Sequence, residues 1–488
     1  MFQQVLNIFN KNKWIILLFF VGFIGGVIVI NDGHEWGDDF ALYISQAQAL
    51  IKGNTEKLAA YNTWSMQNSD GVMGPYLYPP GYPALLATYL NFFPFSWVGL
   101  KIFQWVFYGM GIFAFYSFLN KKEFQLTNWS IIFLVALVFL HPKYMQFADR
   151  LMSDLWFLTT LFIFFYYLYF GQNYGKFKFV LIGFSLILTS ITRVNGFLLI
   201  ASWWLQIFLE EKEWKSKFKD ILCSLPFVLV VLWFKKVDGQ YESNHFDLLK
   251  AISVESIFQN CKLYFSDIST FLFTLVSFLF ESWRLNILIG IVFLYLFLKG
   301  ISSLKNIKLF APILIWIALN LGLIIVWPIG QGTRYLLPII PFIYLIIMVG
   351  FGQVMRNFKW MKWSSISLFF IIFIQFVATV YYFGFVLSRN DILGETQNDV
   401  YNQIKLTVKD NEVIAFDKPR WLHLVTDKKV VRKLSDSTFF ESNVQFLLKK
   451  KVDIYTQRKV QIKDSRLDSV YGNRDFILYR RNDLPVTH

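Results

Sequence analysis

Long apolar runs separated by short basic loops dominate the first 387 positions of the chain. The first run, Trp14–Ile30, follows Lys11 and Lys13. At about 17 residues and about 1.5 Å per residue it is close to the minimum needed to cross a bilayer core. No small-x-small cleavage site precedes the polar stretch Asn31 to Asp39, so the run reads as an uncleaved helix with its N-terminus in the cytoplasm. Further runs follow at Trp97–Leu119, Trp129–Tyr144, Leu155–Phe170, Phe179–Ile191 and Gly196–Leu209. The last are Ile221–Phe234, Leu285–Leu298, Leu309–Trp327, Tyr335–Phe351 and Ser364–Leu387. Several are short for an upright crossing, which is tolerable where neighbouring protein covers their ends.

Threading these runs alternately across a membrane puts Lys121–Lys122, Lys176–Lys178, Lys212–Lys219, Lys299–Lys308 and Arg356–Lys362 on the side of Lys11 and Lys13. Every short connection on that side is then basic, as the positive-inside rule asks. The expected fold is a polytopic α-helical membrane protein with about eleven transmembrane helices. Three long polar segments fall outside: Asn31–Ser96, Lys235–Arg284 and the tail from Ser388 to His488.

The tail departs from the run pattern. Glu412–Asp417, Lys428–Val431, Val452–Thr456 and Asp475–Arg480 read as strands, and Phe439–Lys450 as a helix. The expected domains are residues 1–387, whose first outside loop (31–96) carries a juxtamembrane helix, and a small soluble extracytoplasmic α/β domain at 388–488.

Composition agrees with the pattern. The 488 residues are 55% hydrophobic and only 16% charged, with a mean hydropathy of +0.44, where a soluble chain carries roughly a quarter charged residues. A water-soluble enzyme and a disordered chain are both excluded. The net charge of +14 sits largely in short loops rather than on one basic face, so no nucleic-acid partner is expected. Two cysteines, Cys223 and Cys261, argue neither for nor against a bridge, and no CxxC or HExxH is present to hold zinc.

The candidate chemistry gathers outside. From Asp38 the sequence Asp-Asp-Phe-Ala-Leu-Tyr-Ile-Ser-Gln-Ala-Gln-Ala-Leu-Ile reads as an amphipathic helix stopped by Gly53. Asp38 and Asp39 stand at its N-terminus. They are either a cap favoured by the helix dipole or a carboxylate pair poised as general base or metal ligand. His34 and Glu35 are the neighbours that would complete a divalent-ion site. Downstream, Tyr78, Pro79, Pro80, Gly81, Tyr82 and Pro83 form a stiff turn before an apolar helix. Arg150, Arg193, Arg284 and Arg334 are all expected at outer helix ends. Each is alternatively a snorkelling residue, and Arg150 with Asp154 alternatively an i,i+4 pair.

These motifs, in this order, resemble the GT-C glycosyltransferases, most nearly the branch of lipid A aminoarabinose transferases and protein O-mannosyltransferases. The likeness rests on the acidic pair after the first helix, the Pro79-Pro80 element, the Arg150-x-x-x-Asp154 element, the turn Arg193-Val194-Asn195-Gly196, and Arg334-Tyr335-Leu336-Leu337-Pro338. Together they cover most of residues 14 to 352. The resemblance implies that residues 1–387 are the catalytic domain. Asp38 holds the position of the catalytic acid, Asp39 replaces the usual Glu beside it, and Asp154 matches a second acid. One departure stands out: Tyr78 occupies the place where the aminoarabinose branch has a phosphate-binding Lys. Donor-phosphate binding then falls to Arg150, Arg193, Arg284 and Arg334, beside a substrate loop of Tyr78, Pro79, Pro80 and Tyr82.

The implied activity is transfer of a sugar, with inversion, from a polyprenyl-phosphate donor to an extracytoplasmic acceptor that is lipid, glycan or protein. No cofactor or metal is required. The expected location is the cytoplasmic membrane, multi-pass, with the tail outside. A transporter or flippase of a lipid-linked precursor is the competing reading. Such proteins usually set ionisable groups near the bilayer midplane on broken helices in two related halves. Here the charges lie at outer helix ends and the halves look unrelated.

Overall fold

The computed structural model describes residues 13–34, 37–70, 74–237, 252–272, 283–302, 304–327, 332–355, 361–387, 394–433, 436–451 and 464–484. The chain gathers into two compact units.

The first unit holds Met1–Asn31, Val98–Asp238 and Phe246–Ser388. Every apolar run of the sequence coincides with helix here. The helices are Lys13–Val29, Trp97–Leu119, Asn128–Phe139 bent by 50° into Pro142–Ala148, Ser153–Phe170, Lys178–Thr192 and Leu199–Leu209. Trp214–Val237, Trp283–Ile301, Leu304–Val326, Ile340–Met355 and Met361–Tyr381 are the rest of these runs, and Val254–Leu272, within the segment read as a polar outside stretch, is a further helix of the unit. Among the described residues, three stretches are long and apolar enough to cross a membrane by themselves: 97–119, 153–192 and 307–326. The bent pair makes a fourth. The other apolar helices are shorter, and a multi-pass membrane protein accommodates them because neighbours satisfy their ends.

Between apolar helices the hydrophobic effect offers little drive in lipid, so close packing must hold them. Helices Trp283–Ile301 and Ile340–Met355 meet at two glycines. A Cβ on Gly350 would lie 1.9 Å from the Leu296 carbonyl oxygen, and one on Gly300 2.2 Å from that of Ile346. Elsewhere aromatic rings interlock: Phe115 stacks on Phe162 at 4.5 Å, and Phe342 meets Phe165 at 4.6 Å. The buried charges of this unit are paired. Lys101 donates to Asp149 at 3.0 Å and to the Asn31 carbonyl at 3.0 Å, while the Asn31 N–H donates to Asp149 at 2.7 Å. The first helix is thereby tied to the turn before Ser153–Phe170.

The second unit holds Asp32–Trp97, Gly239–His245 and Arg389–His488. Its sheet has strands β1 (Val413–Ala415), β2 (Lys429–Val431), β3 (Phe446–Lys450), β4 (Leu467–Gly472) and β5 (Phe476–Arg481), in the order β2-β1-β3-β5-β4. β1 pairs in parallel with β2 and β3, and β5 is antiparallel to β3 and β4. The helix expected over Phe439–Lys450 is a short helix, Asp436–Phe440, followed by β3. A strand covered on both faces is a continuous apolar run, which periodicity cannot tell from helix; Phe446, Leu447 and Leu448 are all buried. The strand expected at Val452–Thr456 lies outside the described residues.

Helix Thr55–Gln67 and the turn after it cover the edge strand β2. The Tyr61 hydroxyl accepts from the Val430 N–H at 3.2 Å, Ser65 donates to the Val430 carbonyl at 2.7 Å, and Asp70 N–H donates to the Arg432 carbonyl at 2.9 Å. An uncovered edge would invite pairing with another chain. Between β1 and β2 runs helix Pro419–Thr426, with proline in its first turn where no N–H is needed.

Candidate functional site

The candidate residues fall into two charged clusters, one within each unit. In the second unit, Asp38 is the residue before helix Asp39–Lys52, which ends at Gly53 with φ of 66°. That left-handed stop is cheap only for glycine. Asp38 makes no capping bond to its own helix. Its Oδ1 instead accepts the Trp421 N–H at 3.1 Å, in the first turn of Pro419–Thr426, so it caps a helix 383 residues away in the chain. Among the described residues Oδ2 accepts no hydrogen bond, and part of the side chain still meets solvent.

Burial pushes the Asp38 carboxyl up from 3.8 to about 6. The Arg420 charge, the Trp421 N–H and the Lys418 charge pull it back, and Asp39 adds to the rise. Desolvation wins over two cations and one helix N-terminus. Arg420 is itself buried. It donates to the Pro75 carbonyl at 2.6 Å and lies 5.9 Å from the Tyr78 ring centre.

Asp39 accepts the Tyr78 hydroxyl at 2.6 Å. Tyr78 stacks on Tyr43 at 4.3 Å, and its backbone is clamped by the Gln46 amide, which accepts from the Tyr78 N–H at 3.0 Å and donates to its carbonyl at 2.7 Å. Burial and the neighbouring carboxylate hold the Tyr78 hydroxyl well above its usual pKa, so it is a neutral donor. Pro80 precedes helix Gly81–Phe92, and Tyr82, fully buried, meets Tyr43 edge-on at 4.9 Å. Of the residues expected to form a substrate loop, Tyr78 bonds to Asp39 and both Tyr78 and Tyr82 pack on Tyr43, while Pro79 and Pro80 lie in the turn that leads into helix Gly81–Phe92. His34 is stacked on Phe40 at 3.8 Å. Glu35 lies outside the described residues, and among those described no group of three His, Cys, Asp or Glu is placed to hold a metal ion.

In the first unit Asp154 stands in the first turn of Ser153–Phe170 and is buried. Arg334 reaches it through Nε at 2.9 Å, and Arg193 through Nη1. Arg193 also lies 5.7 Å from the Phe157 ring and 5.5 Å from that of Tyr335. One carboxylate thus holds two guanidinium groups in place through charge-assisted bonds. Arg150 lies in the bend before the helix, with its guanidinium 5.5 Å from the Phe147 ring. Arg284 opens helix Trp283–Ile301, and its side chain lies outside the described residues.

Sequence reading missed Arg420 and Trp421, because nothing near Lys418-Pro419-Arg420-Trp421 distinguishes a surface helix start from one that meets Asp38. It also missed Lys101, although a lone lysine inside an apolar run is a signal: it needs a partner, and Asp149 supplies it.

No family model matches the sequence, and no curated protein matches it. Solved structures do match. ArnT from Cupriavidus metallidurans in the apo state superposes with a TM-score of 0.57 at 11% identity, over 96% of this chain and 98% of that one. The archaeal oligosaccharyltransferase AglB from Archaeoglobus fulgidus, in complex with an inhibitory peptide and a dolichol-phosphate, gives 0.54 at 10%, over 91% and 70%. The arabinofuranosyltransferase AftD from Mycobacteria gives 0.54 at 11%, over 96% of this chain and 41% of that one. All three are GT-C glycosyltransferases, and this chain has the GT-C fold. ArnT has also been solved bound to undecaprenyl phosphate, and that structure matches with a TM-score of 0.55 at 10% identity, over 96% of this chain and 98% of that one.

Proposed function

We propose that the protein is an inverting glycosyltransferase that moves a single sugar from a polyprenyl-phosphate donor to an acceptor hydroxyl on the outer face of the cytoplasmic membrane. In this reading the N-terminus is cytoplasmic, about eleven helices cross the membrane and the tail lies outside. The observation that carries it is Asp38. One carboxylate oxygen is fixed by the Trp421 N–H, the other accepts no hydrogen bond among the described residues, and the pKa of about 6 leaves the group mostly ionised at pH 7 yet basic enough to take a proton.

The chemistry then needs little else. The acceptor oxygen attacks the anomeric carbon as its proton passes to Asp38. The bond from that carbon to the phosphate oxygen breaks, and the phosphate leaves with the electron pair. Attack opposite the leaving group inverts the centre. By the family resemblance the departing charge falls to Arg150, Arg193, Arg284 and Arg334, and within their own unit Asp154 holds Arg193 and Arg334. Asp39, through its bond from Tyr78, fixes that side chain beside the base. No metal is required for a leaving group already activated as a phosphate.

The test is transfer from defined polyprenyl-phosphate sugars by the purified full chain. Asp38→Asn should lower turnover by about a hundred-fold or more. Arg193→Gln and Arg334→Gln should instead weaken donor binding by roughly ten- to a hundred-fold each, the weight of a charge-assisted hydrogen bond. Full turnover in Asp38→Asn refutes the assignment of the base.

A further inference from the structure

The second unit contains a cavity of about 400 Å³ that the proposed chemistry does not use. It opens between the end of helix Thr55–Gln67, the ends of β1 and β2, and the turn before β3. Its volume is within the range of small-molecule sites. Its chemistry is divided. Val413, Val431 and Val444 form an apolar floor, the Trp64 indole forms one wall, and amides and hydroxyls form the rim.

The rim is held before any ligand arrives. Ser69 accepts from the Arg432 N–H at 2.8 Å and donates to the Ser65 carbonyl at 2.6 Å. Asp70 takes the Thr438 hydroxyl at 2.5 Å and Lys433 at 3.3 Å, so its charge is already balanced. Three polar groups are left over. Among the described residues the side chains of Gln67 and Asn443 and the indole N–H of Trp64 make no hydrogen bond to protein, although all three line the cavity. An amide offers a donor and an acceptor side by side, which matches a pair of neighbouring hydroxyls. A balanced ion pair gives no preference for a charged ligand.

We infer that this cavity binds an uncharged saccharide, with one sugar face on the Trp64 and valine surface and its hydroxyls on Gln67 and Asn443. If the protein is a glycosyltransferase, the cavity would hold part of a glycan acceptor, so the substrate assignment rests on that reading whereas the binding itself does not. Binding is measured without turnover. The full chain in detergent is titrated with a panel of methyl hexosides, methyl pentosides, N-acetylhexosamines and their disaccharides, by saturation-transfer NMR.

Saturable binding of at least one sugar is expected. It should weaken about ten-fold or more in Gln67→Ala/Asn443→Ala, the weight of one or two neutral hydrogen bonds. Those two side chains are exposed and hold nothing else in place, so the melting temperature should stay. Ser442→Trp, which fills the cavity, should abolish binding, and Asp38→Asn should leave it unchanged. No saturable sugar across the panel, or sugar binding indifferent to both cavity variants, overturns the inference. So does saturable binding of acceptor-like peptides in place of sugars. Loss of transfer with sugar binding intact would count against the base at Asp38 and not against this cavity.

Discussion

Replacing Asp38 with Asn separates a base from a structural tie, because the two roles predict opposite changes in stability. The folded protein holds the Asp38 proton more tightly than the unfolded chain does, at about 6 against 3.8. This preference stabilises the fold fully below pH 4 and is lost as the pH rises through 6. At about 1.4 kcal/mol per pH unit, a rise of about two units is worth about 3 kcal/mol. That is an upper figure, since the side chain keeps some contact with water, which screens it. Asn mimics the protonated carboxyl at every pH and can still accept the Trp421 N–H. The variant should therefore stay within about 1 kcal/mol of the parent at pH 4.5 and exceed it at pH 8 by up to about 3 kcal/mol, while transfer collapses. Thermal unfolding in detergent at the two pH values reads the difference, and comparing the variant's pH dependence with the parent's removes effects common to both. If the substitution instead costs stability at pH 8 and not at pH 4.5, the ionised carboxylate is an anchor for Arg420 and the burial argument fails.

Arg420→Met removes the cation that most lowers the Asp38 pKa, so the acid limb of the pH–activity profile should move to higher pH; an unmoved limb refutes the coupling. The same variant forfeits the bond to the Pro75 carbonyl and should cost about 1.5–3 kcal/mol in unfolding. Gly350→Ala places a Cβ against the Leu296 carbonyl and should cost about 1–3 kcal/mol or more by forcing two helices apart. Gly352→Ala, where a Cβ meets open space, is the control, and equal melting temperatures in the two variants would discard the close crossing.

The helices were legible because an apolar run must become a helix where water is absent, and each run did. The helix after Asp38 and its stop at Gly53 were legible for local reasons too, in its spacing and its left-handed terminus. What a local pattern cannot carry is partnership. Arg193 and Arg334 were placed at outer helix ends, but their meeting on Asp154 joins residues 39 and 180 positions away. β3 was misread because its buried apolar residues carry no alternation. Arg420 was invisible because its significance lies in a carbonyl at Pro75 and a ring at Tyr78, both far upstream.

The sequence left Asp38 as either a cap or a base, and the geometry removes the opposition between the two. A carboxylate at a helix N-terminus is normally made more acidic by the N–H groups it accepts. Here the helix it caps is not its own, and the carboxylate that reaches the Trp421 N–H is largely buried. The cost of that burial exceeds the gain from one N–H and the nearby guanidinium, so the net effect is a weaker acid. Capping uses only Oδ1. The same bond that ties the loop to the tail orients the second oxygen, and the burial that the tie imposes gives that oxygen its basicity. A protein whose tail was severed from Asp38 would lose both the bond from the Trp421 N–H and the raised pKa, so in the proposed reading the tail takes part in setting the base.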